Sequence, residues 1–532
     1  MNSTKASQGI WIPAAMVAVV LLLTVTAHAA APGIKGSSFN LTAQPAYISQ
    51  PDGSLVYSWG YGCASNSGLT FAPAMAGQNC PSMQVPGPTL IVTEGQTVTV
   101  TLTNNLPAAA GDTSILFPGF QVTAAAASSQ PGTCTAPTAA TQAPQGLLTL
   151  EAAHGCSVTY TFVASSPGTR AYYSGTQGDL QVEMGLYGAI IVLPNSTPSC
   201  PYHNTKAETY TEPDFRLAPA AYHIAASCYD REYLFQFSEI DPNIHRQAEQ
   251  QANNLCNSPA GCMQVATEPY HPAYFMINGR SMPDNMDPNY SAQYPHQPYN
   301  GNPHMHPGDL VLLRILGTGR WQHPFHEHGN HVRVLARDGN LILAQSDPTN
   351  TKLGGPLLFT TTTTPGQAMD GIFYWTGKGL NWDVYGHGYT GDTTPCVPDN
   401  NGYYTHASGA PDNAPNYYEW CQDHDKALEK APFGQVAANG PVTLPDPNIL
   451  TNGPWYGGSA YLGPDATVRA TGPTGTTPPS GTVANPPTSE AGFAFMWHSH
   501  NEREITTNNI FPGGMMMMML VDPRAFVINE AN

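Results

Sequence analysis

Charge is scarce in this 532-residue chain: Asp, Glu, Lys and Arg together make up 11% of it, against roughly 25% in an average soluble protein. Basic residues are scarcest, with 19 Lys+Arg against 37 Asp+Glu and a formal net charge of −18. No basic run occurs anywhere, and a nucleic-acid surface needs a positive stripe, so that partner class is excluded. No apolar run reaches the ~20 residues of a membrane-spanning helix. The ten cysteines include no CxxC pair, which argues against zinc ribbons and thioredoxin-like dithiol chemistry. Glycine (51) and proline (50), by contrast, are abundant. That composition argues against a helical bundle and for many short strands joined by turns.

The N-terminus carries a secretory pattern. Lys5 supplies a positive start, Ile10 to Val25 is apolar apart from Pro13 and Thr24, and Ala27-His28-Ala29 offers small residues at a cleavage position. Residues 1–29 are therefore expected to be a signal peptide, with no membrane span after cleavage. The mature protein should be exported, to a periplasm, a cell surface or the medium. All ten cysteines lie downstream, in neighbouring pairs Cys63/Cys80, Cys134/Cys156, Cys200/Cys228, Cys256/Cys262 and Cys396/Cys421. Disulfides closing local loops suit an oxidising compartment, and neighbour pairing is the simplest connectivity.

Strand patterns dominate the rest. Thr97 to Thr103 alternates polar and apolar, the period of a strand with one buried face. Gly185 to Val192 reads as a buried strand, and Glu232 to Ile240 alternates with Tyr233, Phe235 and Phe237 on one side. Residues 243–255 are the one plausible amphipathic helix. Further strands are expected at 274–277, 310–316, 331–336 and 493–497. These divide into a first β domain over 40–194 and a second over 205–532, the latter interrupted at about 345–490 by a loop-rich insertion.

Two histidine clusters stand out: His323-Pro324-Phe325-His326-Glu327-His328-Gly329 and Trp497-His498-Ser499-His500. Side chains two apart on a strand share a face, so His326/His328 and His498/His500 are two same-face pairs. Two such strands side by side would converge four imidazoles on one ion. Imidazole suits copper, zinc, nickel and iron.

These segments resemble the multicopper oxidases, whose last domain carries HPxHxHG and, near the C-terminus, HCHxxxH. The resemblance extends to Pro86-Gly87-Pro88-Thr89, Thr93-Glu94-Gly95, Asn104-Asn105-Leu106-Pro107, Pro167-Gly168-Thr169, Gly185-Leu186-Tyr187-Gly188, Asp230-Arg231-Glu232-Tyr233 and Ile277-Asn278-Gly279-Arg280-Ser281. It implies an all-β chain of tandem cupredoxin-like Greek-key β-sandwiches of the two-domain type. It also implies copper, and a homotrimer.

The copper pattern itself is degenerate. The family's type 1 site needs a Cys between the two His of HCH, and here Ser499 stands there. The second type 1 His position holds Glu504, so only His323 remains. Of the cluster ligands expected from the first domain, Leu116, Pro118, Tyr173 and Gly175 occupy the places. The second-domain ligands His326, His328, His498 and His500 survive. Four imidazoles can hold one ion, with Tyr173 as a further candidate ligand, but not three coppers. The leading expectation is thus at most about one copper ion per chain, with zinc as the alternative metal. No blue copper and no laccase-like turnover are expected. Two other readings stay open: an active copper-dependent oxidoreductase with a reassigned site at His323 and Glu504, and a metal-free surface-assembly protein with a surface or matrix partner.

Three lesser signals remain. His304-Met305-His306 is another same-face pair, read as structural or as a peripheral metal site. Met515 to Met519 should alternate into the core of a strand. The tyrosines at 385, 389, 403, 404, 417 and 418 can form a contact surface.

Overall fold

A computed structural model describes residues 31–64, 68–72, 78–126, 148–200, 214–254, 261–306, 308–347, 349, 351–375, 490, 492–522 and 526–528, together with short strands between 397 and 484. The expected signal peptide, the tyrosine-rich segment and the Cys396/Cys421 pair lie outside the described residues.

Two two-sheet sandwiches follow one another along the chain. In the first, one sheet runs in the order Thr70–Ala72, Gly33–Lys35, Leu90–Thr93, Tyr187–Leu193, Gly168–Tyr173; the other runs Leu55–Cys63, Ser38–Ser49, Thr97–Asn104, Ser157–Val163, Thr123–Ala126. The second sandwich has one sheet built on Tyr274–Ile277, Arg231–Ile240, Leu310–Gly317, Ala368–Tyr374 and Val332–Arg337. Its other sheet runs His304–Met305, Met516–Val521, Gly492–Ser499, His323–Glu327, Thr360–Thr363. The sequence patterns are explained by this layering. Thr97–Asn104 alternates because one face meets solvent, with Val98, Val100 and Leu102 inside. Tyr187–Leu193 and Arg231–Ile240 are buried on both faces because the two sandwiches pack sheet against sheet. Ile191, Leu193 and Ala171 of the first meet Leu234, Leu316 and Ala368 of the second there.

The methionine run alternates as expected: Met515, Met517 and Met519 enter the second core, whereas Met518 is only partly buried. The helix spans Pro242–Ala252, capped by the Asp241 side chain accepting from the Asn243 N–H. Although it follows the domain connector in sequence, Ile244 and Ala248 pack into the first sandwich's core. His245 Nδ1 also donates to the Tyr57 carbonyl at 2.6 Å. This segment therefore straps the second domain onto the first. Cys63–Cys80 and Cys200–Cys228 are disulfides, as neighbour pairing expects. Cys156 and Cys262 are also disulfide-bonded. No helix among the described residues is long and apolar enough to cross a membrane.

A buried polar clamp fixes the two sandwiches. Arg314 bonds Glu232 through Nε at 3.0 Å and Nη2 at 2.9 Å, while its Nη1 reaches the Thr169 hydroxyl at 3.1 Å. Thr169 in turn donates to Asp370 Oδ1 at 2.6 Å, and Tyr222 donates to Asp370 Oδ2 at 2.5 Å. Gly168 sits at φ +116°, and a Cβ there would lie 2.6 Å from both the Gly339 Cα and the Tyr222 hydroxyl. Only glycine allows that approach. Arg314→Met would strand two buried carboxylates, and we expect it to cost about 3–5 kcal/mol in urea denaturation. A loss under 1 kcal/mol would show that the clamp does not hold the domains.

Candidate metal centre

The His323–Glu327 and Gly492–Ser499 strands pair antiparallel, with His326 opposite His498 and Phe325 opposite Ser499. Alternation then sorts the side chains by face. His323, Phe325, Glu327, Trp497 and Ser499 turn inward and are fully buried. His326, His328, His498 and His500 form the opposite face. Phe325 and Trp497, packed edge to face at 6.2 Å, anchor the pair in the core. Trp497 Nε1 also donates to the His328 carbonyl at 2.9 Å, fixing the chain just past the strand.

On the outer face, nitrogen atoms of His326, His328 and His498 all lie within 4.8 Å of one another. The His500 ring completes the group at 4.8 Å from the His326 ring. His326 Nδ1 is bonded to the Thr360 hydroxyl at 2.6 Å, and His498 Nδ1 donates to the Ser499 carbonyl at 2.7 Å. Tying Nδ1 in this way orients the ring and leaves Nε2 as the metal-facing atom. The His498 and His328 Nε2 atoms stand 3.2 Å apart. Two imidazole nitrogens at ~2.0–2.1 Å from one tetrahedral ion would stand about 3.3 Å apart, so the donor set fits. Burial, followed by the neighbouring imidazoles His328, His498 and His500, pushes His326 down to about 4. His498 is lowered mainly by burial, with His500 adding to it. Neutral imidazoles at pH 7 are the ligand form.

The inner face carries a different arrangement. His323 Nε2 meets Glu239 Oε2 at 2.9 Å and its Nδ1 meets Glu504 Oε2 at 2.9 Å. Ser499 donates to the same Glu504 oxygen, and Asn501 Nδ2 donates to Glu504 Oε1 at 2.9 Å. Burial opposes charge on His323, but the hydrogen bonds and charges of Glu239 and Glu504 outweigh it and raise the imidazole to about 9. Both ring nitrogens are thus taken by carboxylates, in the place where the family's type 1 ligands are expected. Glu239 escaped sequence reasoning. Its signal was a carboxylate in a strand buried on both faces, which demands a partner. Glu239 also accepts from the Arg320 and Trp321 N–H groups at 2.7 and 2.8 Å.

Tyr173 is placed elsewhere. It lines a pocket of about 430 Å³ between the sandwiches with Leu116, Gly175, Tyr187, Arg320 and Gly366, and no described histidine lines that pocket.

Sequence models of the multicopper oxidases match residues 81–197 and again 266–370. The chain belongs to the multicopper oxidase family. Its tandem sandwiches are cupredoxin-like, and membership implies copper as the metal. Similar solved structures include multicopper oxidase mgLAC, 15% identical, covering 91% of this chain and 86% of that one, with a TM-score of 0.43. Another is the blue copper oxidase of Nitrosomonas europaea, 16% identical over 91% of this chain and 85% of that one, with a TM-score of 0.42. A third is the copper nitrite reductase of the same organism, 18% identical over 64% of this chain and 85% of that one, with a TM-score of 0.36. Likeness this distant carries nothing about activity. No curated protein matches the chain.

Because His323 is raised in the folded state, its contribution is fully present below about pH 6.5 and is lost as pH rises through about 9. His323→Gln should therefore lower stability by about 3 kcal/mol at pH 6, with the difference from the parent shrinking toward pH 10. Urea denaturation at pH 6, 8 and 10 measures this; a difference that does not change with pH would refute the charged assignment.

Proposed function

We propose that this multicopper oxidase family member is an exported protein that binds a single copper ion, with zinc as the alternative metal, through His326, His328, His498 and His500, and that it forms no blue copper centre. The observation that carries the reading is the convergence of three imidazoles within 4.8 Å, with the fourth ring alongside. The outer hydrogen bonds to Thr360 and the Ser499 carbonyl support it by presetting the ligand atoms. Bound there, copper would supply one-electron redox chemistry. The chain's own residues hold and orient the ion and keep it beside a rigid sheet.

Ser499 supports the second half of the reading. Its hydroxyl donates to Glu504 and, unlike a thiolate, offers no soft covalent bond to copper. Glu504 and His323 neutralise each other's charge instead of presenting ligands to a metal. Substrate oxidation through a type 1 relay is accordingly not part of the proposal. Export rests on the N-terminal pattern and agrees with the disulfides.

Elemental mass spectrometry on mature chain loaded with copper and desalted should give about one ion per chain held by these histidines. His326→Ala with His498→Ala should remove it, while near-ultraviolet circular dichroism stays unchanged. Copper retention in the folded double variant would overturn the site. An intense blue absorption band in the parent would overturn the claim that no type 1 centre forms.

A further inference from the structure

A second group of ligating side chains lies at the other end of the same sheet. The His304–Met305 strand runs parallel to Met516–Val521, with His304 opposite Leu520 and Met305 opposite Val521. The Asp522 N–H donates to the Met305 carbonyl at 2.9 Å, which brings Asp522 beside His304. Glu490 arrives from the approach to the Gly492–Ser499 strand, whose Phe493 pairs with Val521. One ligand atom from each of His304, Glu490 and Asp522 lies within 4.8 Å of the other two. His498 pairs with Met516 at the far end of the strands. Five residue steps at ~3.4 Å place this group about 17 Å from the histidine cluster.

Two carboxylates converge here on one imidazole, so the group is short of positive charge. His304 Nδ1 takes Asp522 Oδ2 at 2.8 Å. Asp522 is 1% exposed, and its other oxygen, Oδ1, is buried with no hydrogen-bond partner. A buried carboxylate oxygen left without a donor costs about 1–3 kcal/mol or more, and a cation bridging Asp522 and Glu490 removes that cost. Glu490 is held above the ordinary carboxylate range, first by burial and also by Asp522, as expected for two acids sharing a site. His306 closes the base of the group, its Nδ1 bonded to the Asp522 carbonyl at 3.2 Å.

We infer that His304, Glu490 and Asp522 form a second cation site, distinct from the four-histidine cluster, that takes a divalent first-row transition ion. The donor set decides the class. One imidazole with two carboxylates suits zinc or manganese(II); the absence of thiolate gives no preference for copper(I), and calcium asks for six to eight oxygens. The site ties the edge strand, the end of the last strand and the end of the insertion together. It therefore acts as a structural staple where the 345–490 insertion rejoins the sheet.

The test uses zinc chloride as the probe on metal-stripped mature chain carrying His326→Ala and His498→Ala, so that it stands whether or not the four-histidine reading survives. Isothermal titration should show about one zinc per chain. Adding Asp522→Asn or, separately, the half-buried Glu490→Gln should weaken binding at least ~10-fold. X-ray absorption of the zinc-loaded histidine variant should give an oxygen-rich shell with one imidazole. No zinc binding in the histidine variant overturns the inference. So does undiminished binding in folded Glu490→Gln, or a shell of several imidazoles. Should Asp522→Asn fail to fold, Glu490→Gln decides alone.

Discussion

One strand register governs the chemistry of this protein: His326 lies opposite His498. Side chains alternate with a period of two, so a slip of one residue would turn all four histidines inward and put Phe325 and Trp497 in water. The apolar pair holds the register, because burying two large aromatic groups outweighs any gain from a shifted ladder. The imidazoles are thus brought together by residues that touch no metal. Thr363 and Thr360 on the neighbouring strand extend the same pairing, opposite His323 and His326.

The two faces of this strand pair have separate roles. Outward, four nitrogen donors gather where burial and mutual repulsion keep His326 and His498 neutral. Inward, His323 is kept charged between Glu239 and Glu504. The same residue type is driven in opposite directions within a few ångströms because one environment supplies like groups and the other carboxylates. In family terms the inner face is where a thiolate would sit. Here Ser499 completes an ion-pair network, and the inner face contributes stability in place of an electron path.

Much of the fold was legible because burial leaves a pattern. The alternation of Thr97–Asn104, the apolar run of Tyr187–Leu193 and the odd-numbered methionines of the last strand each followed from which faces meet solvent. The same-face histidine pairs were legible for the same reason. The Pro242–Ala252 helix was visible as an element but not in its place, since amphipathicity says that a face is buried and not against what. Glu239, 84 residues from His323, and Asp522, 218 residues from His304, were invisible as partners. Carboxylates carry no periodic signal that would announce a distant imidazole.

The sequence by itself determined the all-β class, the family, the surviving and missing ligand positions and the local disulfides Cys63–Cys80 and Cys200–Cys228. These depend on residue type and short-range spacing, which a linear chain displays directly. Tertiary structure decided the rest. It set His326 against His498 and closed His323 between two acids. It kept Tyr173 in the interdomain pocket and gathered His304, Glu490 and Asp522 at the insertion's return. Each of those is a meeting of residues far apart in sequence, and only the packing of sheets on sheets fixes which distant side chains share one small volume.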